Sequence, residues 1–324
     1  GATVPAKGMT SMETWALIAG GLVLLLGGGE ILVRGAVAAA VRLGVSPLMI
    51  GLTLVGFGTS MPELVASLRA ALEGAPGIAL GNVVGSNIAN VLLILGIAAM
   101  LSPMVVERKS FLRDGAVLIA VSLLLTVLVL ADAFSTLTGA GLLALVPAYT
   151  WMVWKTESGA GAALSGEVPE QPGLGLVAGL SLAAAGIAGV VFGAGLLVDG
   201  ATGIARAAGL SEAVIGLTLV AVGTSLPELA TSVVAALRRQ GAVAFGNILG
   251  SNIFNVLGIL GVTALVAPLP VPAEIARLDI WVMLAAALAL TLFAVTGWRL
   301  SRREGAALLA AYAVYLALQF LPAV

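Results

Sequence analysis

The sequence predicts an all-α polytopic membrane protein of ten transmembrane helices, built as two inverted-topology five-helix repeats. Three observations predict it. The 324 residues are 60% hydrophobic and only 10% charged, whereas soluble domains carry about 25% charged residues. Apolar runs repeatedly reach the roughly 20 residues that cross a bilayer as a helix; continuous runs such as DGAVLIAVSLLLTVLVLA are unlike the short alternating segments of a β-barrel. Finally, the chain repeats itself. Shifted by 165 residues, 51–67 and 216–232 agree at 12 of 17 positions, and 81–96 and 246–261 agree at 12 of 16, with polar residues matching as well as apolar ones.

In chain order, spans are expected at 12–38, 45–72, 78–101, 112–131, 135–154, 173–199, 210–237, 243–267, 279–297 and 305–322. The opening GATVPAKG reads as a processing remnant, and no signal peptide is read there. The polar interval KTESGAGAALSGEVPEQPG divides the chain into an N-terminal repeat (1–155), a linker (156–172) and a C-terminal repeat (173–324). The connections after spans 1, 3, 5, 7 and 9 hold eleven Lys and Arg, against four on the other side. The odd connections and the linker are therefore expected to be cytoplasmic, and both termini extracytoplasmic. Five spans per repeat is an odd number, so the second repeat enters the membrane from the opposite side. Such inverted pairs place a transport site near the midplane, where the halves meet.

Composition also excludes. There is no Cys and no His, which removes disulfides, thiol chemistry and the usual zinc and redox-metal ligands. A net charge of −1 gives no indication of a nucleic-acid partner, and no protein partner or cofactor is implied.

The polar residues inside the oily runs carry the chemistry. In GTSMPE (58–63) and GTSLPE (223–228), Pro62 and Pro227 lack an N–H, so the carbonyls of Gly58 and Gly223 lose their helical partners. Thr59 and Ser60 share a helical face with Glu63, and Thr224 and Ser225 share one with Glu228. An acid at membrane depth costs at least ~2.5–3.5 kcal/mol and is functional by default. In GNVVGSNIAN (81–90) and GNILGSNIFN (246–255), Asn82, Ser86 and Asn90 form a stripe spaced by four, matched by Asn247, Ser251 and Asn255. The glycines there, and some of the polar residues, read as helix-packing contacts. Together the motifs assemble carboxylates, carboxamides, hydroxyls and freed carbonyls, with no Lys or Arg in either motif. Two negative charges in low dielectric call for hard cations. Ca²⁺ takes six to eight oxygens in flexible geometry, and several Na⁺ ions could occupy the same oxygens.

The paired GTS-M/L-PE and G-N-x-x-GSN-I-x-N segments resemble the two alpha repeats of the cation/Ca²⁺ exchanger superfamily, above all prokaryotic Na⁺/Ca²⁺ exchangers. The resemblance covers essentially the whole chain. It implies a cell (inner) membrane antiporter in which one Ca²⁺ or three Na⁺ use a diamond of four cation positions in alternation. Glu63 and Glu228 would be the central Ca²⁺ ligands, helped by the carbonyls of Thr59 and Thr224. Ser60, Ser86 and the Gly56 carbonyl would line one outer Na⁺ position, Ser225, Ser251 and the Ala221 carbonyl the other, with Asn90 and Asn255 flanking the middle. Spans 1 and 6 would slide past the rest to switch access. In the potassium-dependent branch an Asp stands where this chain has Asn255, so the resemblance implies K⁺-independent exchange at a site of charge −2. Three Na⁺ then leave +1 and one Ca²⁺ leaves zero, which makes exchange electrogenic. The alternative is Ca²⁺/H⁺ exchange at the same carboxylates. An intramembrane enzyme gives no reason to duplicate both motifs in register, and a passive channel usually takes its symmetry from subunits about the membrane normal.

Overall fold

The computed structural model describes residues 11–157, 174–207 and 221–319. The opening GATVPAKG, most of the linker, the first part of the span expected at 210–237 and the last residues of the span expected at 305–322 lie outside these. Among the described residues the protein is helical apart from one two-stranded ribbon. Helix α1 is Ser11–Leu43; α2, Pro47–Thr59, and α3, Met61–Leu72, meet at a 41° bend. Next come α4, Pro76–Leu101, β1, Met104–Val105, α5, Arg108–Leu130, and α6, Thr136–Glu157. Then follow α7, Leu176–Ala207, the short α8, Ala221–Thr224, α9, Leu226–Leu237, α10, Gly241–Val266, and α11, Ile275–Val295. Strand β2, Arg299–Leu300, and α12, Arg302–Gln319, close the chain. Seven of these helices are long and apolar enough to cross a membrane, and the bent α2–α3 pair makes an eighth.

Several helices outrun their apolar cores, because local partners satisfy the polar ends. Helix α5 starts at Arg108, ahead of the expected 112. The Glu107 carboxylate caps it by accepting from the N–H groups of Lys109 and Ser110 at 3.1 and 2.6 Å. Burial alone would raise the Glu107 pKa, but these bonds, the Ser110 hydroxyl and Lys109 together hold it below the usual carboxylate value. Helix α6 continues to Glu157, past the expected 154, because Glu157 accepts from Arg113 at 2.9 Å and from the Ser110 hydroxyl at 2.6 Å. The polar interval read as linker is thus helical at its start. Pro76 opens α4, where a missing N–H costs nothing.

Glycine sets how the helices stack. Helices α1 and α7 cross with their backbones in contact. A Cβ on Gly186 would fall 2.4 Å from the Leu32 nitrogen, and one on Gly35 would fall 2.3 Å from the Ala183 nitrogen. Helix α10 presses on α2 in the same way, so that a Cβ on Gly250 would fall 2.1 Å from the Leu52 carbonyl oxygen. The small-xxx-small pair Gly246 and Gly250 therefore works as read from sequence, by letting backbones approach. Strands β1 and β2 pair antiparallel, Met104 with Leu300, and tie the connection after α4 to the connection after α11. The most buried helices, α4 and α10, occupy the middle of this stack, and the motif residues lie on them and at the breaks beside them.

Candidate cation site

Two helix breaks and two widened turns bring the motif residues together. At Ser60 and Ser225 the backbone leaves helical geometry (ψ 7° and 4°) before Pro62 and Pro227 restart the helix as its second residue. The following acids, Glu63 and Glu228, are fully buried. On the facing helices, α-helical winding gives way to wide π turns at Asn90–Leu95 and Asn255–Ile259. π turns inside helices often mark functional sites. Neither widened turn was legible in the residue pattern.

The hydrogen bonds exchange partners between the duplicated segments. The Ser60 hydroxyl donates to Glu228 Oε1 at 2.9 Å, and the Ser225 hydroxyl donates to Glu63 Oε1 at 3.1 Å. Each carboxylate is therefore held by the serine three residues before the other, which puts both acids in one pocket. Ser225 also lies 3.4 Å from the Ser86 hydroxyl, and the Ser251 hydroxyl donates to the Gly56 carbonyl at 3.1 Å. Ser86 is thus bonded to Ser225 and the Gly56 carbonyl to Ser251, pairs that link the two groups of residues the resemblance implied. Thr59 donates to Asn247 Oδ1 at 3.1 Å, and Thr224 donates to Asn82 Oδ1 at 3.4 Å. Ala221, the match of Gly56, is the first residue of α8.

Asn82 and Asn247 bond within the protein at both ends. Their amides donate to Ser67 and Ser232, both at 2.9 Å, and to the carbonyls of Glu63 and Glu228. They brace the acid-bearing helices from behind. Asn90 and Asn255 differ: their amides donate at 3.0 Å to Asn252 Oδ1 and Asn87 Oδ1. Asn87 and Asn252 were not singled out from the sequence, although the duplicated GSN triplets were the available signal.

Six buried side-chain oxygens have no hydrogen-bond partner among the described residues, and four of them belong to the motif residues of this site: Glu63 Oε2, Glu228 Oε2, Asn90 Oδ1 and Asn255 Oδ1. A buried carboxylate or carboxamide oxygen without a partner costs several kcal/mol. Two come from each duplicated segment, at matched positions. Serine hydroxyls stand beside them, and no third Asp or Glu joins the pair among the described residues. An oxygen-only set carrying two negative charges suits a hard cation and offers nothing to a thiophilic one.

Comparison with known proteins gives a consistent result. The family profile described as sodium/calcium exchanger protein matches residues 13–155 and 178–321. The chain is 40% identical to the putative antiporter CaxA of Alkalimonas amylolytica, over 93% of this chain and 96% of that one. It is 36% identical to the sodium/calcium exchanger MaX1 of Methanosarcina acetivorans, with the same coverage. Among solved structures it is similar to the sodium-calcium exchanger NCX_Mj soaked with Na⁺ and Sr²⁺. That match has a TM-score of 0.85 and 36% identity, over 95% of this chain and 99% of that one.

Proposed function

This chain belongs to the sodium/calcium exchanger family, a family of multi-pass membrane transporters, and on that premise we propose that it is an electrogenic, K⁺-independent antiporter exchanging Na⁺ for Ca²⁺ by alternating access. The observation that carries this reading is the set of four unpartnered buried oxygens, two from each duplicated segment. Glu63, Glu228, Asn90 and Asn255 are the central ligands. One flanking position is bounded by Glu63, Ser86 and Ser225. The other is bounded by Glu228, Ser60, Ser251 and the Gly56 carbonyl, following the bonded pairs. The carbonyls of Thr59, Thr224 and Ala221 complete the set.

The architecture we propose is ten spans in two inverted five-helix repeats, 1–155 and 173–324. The joining segment is cytoplasmic and both termini are extracytoplasmic, a reading supported by the Lys and Arg distribution. With two carboxylates and no further charge, three Na⁺ leave the site at +1 and one Ca²⁺ leaves it neutral. Each cycle then moves net charge, worth about 2.3 kcal/mol per 100 mV.

The test is ⁴⁵Ca²⁺ uptake into proteoliposomes with and without an outward Na⁺ gradient at fixed pH, repeated with K⁺, Li⁺ and H⁺ gradients and with the potential clamped. Na⁺-driven uptake that is accelerated by an inside-positive potential and unmoved by K⁺ supports the proposal. Uptake driven by a proton gradient and indifferent to Na⁺ would replace it with Ca²⁺/H⁺ exchange at the same acids.

A further inference from the structure

Four asparagines, Asn87 and Asn90 on α4 and Asn252 and Asn255 on α10, form one closed network. We infer that Asn87 and Asn252 are positioning residues that decide which end of the Asn90 and Asn255 carboxamides faces the cation site. The inference rests on the reading of Asn90 and Asn255 as ion ligands.

A backbone carbonyl can only accept a hydrogen bond. The Asn87 amide nitrogen lies 3.2 Å from the Asn252 carbonyl oxygen and 3.9 Å from the Met283 sulfur. Neither neighbour carries a proton, so the NH₂ end of Asn87 must face them and Oδ1 must face away. Asn87 Oδ1 then accepts from Asn255 Nδ2 at 3.0 Å, which leaves Asn255 Oδ1 pointing elsewhere with no partner among the described residues. The mirror chain runs likewise. Asn252 Nδ2 reaches the Asn87 carbonyl at 3.5 Å, Asn252 Oδ1 accepts from Asn90 Nδ2 at 3.0 Å, and Asn90 Oδ1 is left free.

The polarity of each ligand is thus fixed two residues away, by a main-chain carbonyl acting through an intervening amide. Without that anchor an Asn side chain turns about a broad, roughly two-fold terminal torsion. The two ends of the amide occupy similar space and carry opposite partial charge. A flipped Asn90 or Asn255 would aim N–H groups at a cation and withdraw an oxygen ligand. All four side chains are buried, so bulk water does not compete for these bonds. Outer partners that orient a ligand typically change metal affinity by about 10- to 100-fold; here neutral amides fill that role, in duplicate.

The experiment is a double-mutant cycle read by calorimetric Ca²⁺ titration of the purified full chain. We expect Asn255→Ala to weaken Ca²⁺ binding about tenfold and Asn87→Ala to weaken it comparably. The double variant should bind no worse than Asn255→Ala alone, because no carboxamide then remains to be oriented. Losses that multiply, or unchanged affinity in Asn87→Ala, overturn the inference, since a purely structural asparagine would act independently of Asn255. The mirror cycle, Asn252→Ala with Asn90→Ala, supplies the same test should Asn87→Ala fail to fold. Unchanged Ca²⁺ binding in both Asn90→Ala and Asn255→Ala would bring down the ligand assignment and this inference with it. Weakened binding in those two, with none in Asn87→Ala or Asn252→Ala, would leave the site standing and remove only the positioning role.

Discussion

Helices α3 and α9, MPELVASLRAAL and LPELATSVVAAL, are duplicates that agree at 7 of 12 positions, yet the protein treats them differently. The crossed pair α1 and α7 leans on α9 and makes no comparable contact with α3. Gly29 of α1 comes against Ala230 and Val234 of α9. At matched positions, Val65 is 64% exposed and Ala230 9%; Arg69 keeps 76% of its side-chain surface while Val234 is buried. An ion pair adds to the difference. Arg238, at the end of α9, donates to Glu30 of α1 at 2.6 Å, and Glu30 also pairs with Arg34. The residues matching Arg238 and Glu30 are Glu73 and Gly195, which cannot form such a pair. Duplicated sequence therefore does not mean duplicated environment. In an inverted pair, the arrangement that covers one acid-bearing helix uncovers its mate, and exchanging the two environments produces the opposite-facing state. On the orientation we propose, α3 leads to the extracytoplasmic side and α9 to the cytoplasmic side, so α1 and α7 cover the acid-bearing helix of the cytoplasmic half.

The comparison can be broken first at what the two helices share. Glu63→Gln and Glu228→Gln should each reduce Na⁺-driven Ca²⁺ uptake more than 100-fold while the purified protein still elutes as a folded species. Robust uptake by the double variant would detach the acids from transport. The next test uses the absence of native cysteine. A membrane-impermeant maleimide applied outside should label Val65→Cys at least about tenfold faster than Ala230→Cys. Equal rates would mean that the two helices are equally covered in the membrane.

Smaller effects sharpen the picture. Asn255→Asp adds a third charge and sets a carboxylate oxygen against Asn87 Oδ1, where an N–H stood before. We expect a several-fold change in the K⁺ and pH dependence of flux with little change in melting temperature, and an unaltered ion profile would argue against a central role for position 255. The mildest change is Glu30→Gln. The pair is partly exposed, at 25% and 46% of side-chain area, and such pairs contribute on the order of 0–1 kcal/mol. The ratio of outward to inward Na⁺ affinity should shift by no more than a few-fold, toward the cytoplasm-open state. A matching shift from substituting Glu73, which among the described residues pairs only with Arg69 four residues away, would show that the ion pair on α9 has no special bearing on which state prevails.

Much of the site was legible because polarity inside an apolar run is costly and these residues are duplicated in register. Glu63 and Glu228 stand out for that reason, as do the serines and asparagines spaced by four. Other features were not. Counting in fours along α4 reaches 82, 86 and 90 and passes over Asn87. Residues 87 and 90 are three apart and share a face of an ordinary helix, so Asn87 lay within reach of a count that used threes as well as fours; its bonds to the facing helix are what the pattern does not display. Helix ends were misplaced where a charged residue had a distant partner, as Glu157 has in Arg113.

By itself the sequence determined a membrane-embedded helical chain, its ancestral duplication and the residue types at the site. All of these follow from local hydropathy, from spacing, and from the expense of burying acids in lipid. Only the tertiary structure decided that Ser60 serves Glu228 and Ser225 serves Glu63, that four oxygens of the site are left without a donor among the described residues, and that α1 and α7 side with α9. Those outcomes depend on how two copies dock face to face, and contacts between residues some 165 positions apart leave no mark on the pattern within either copy.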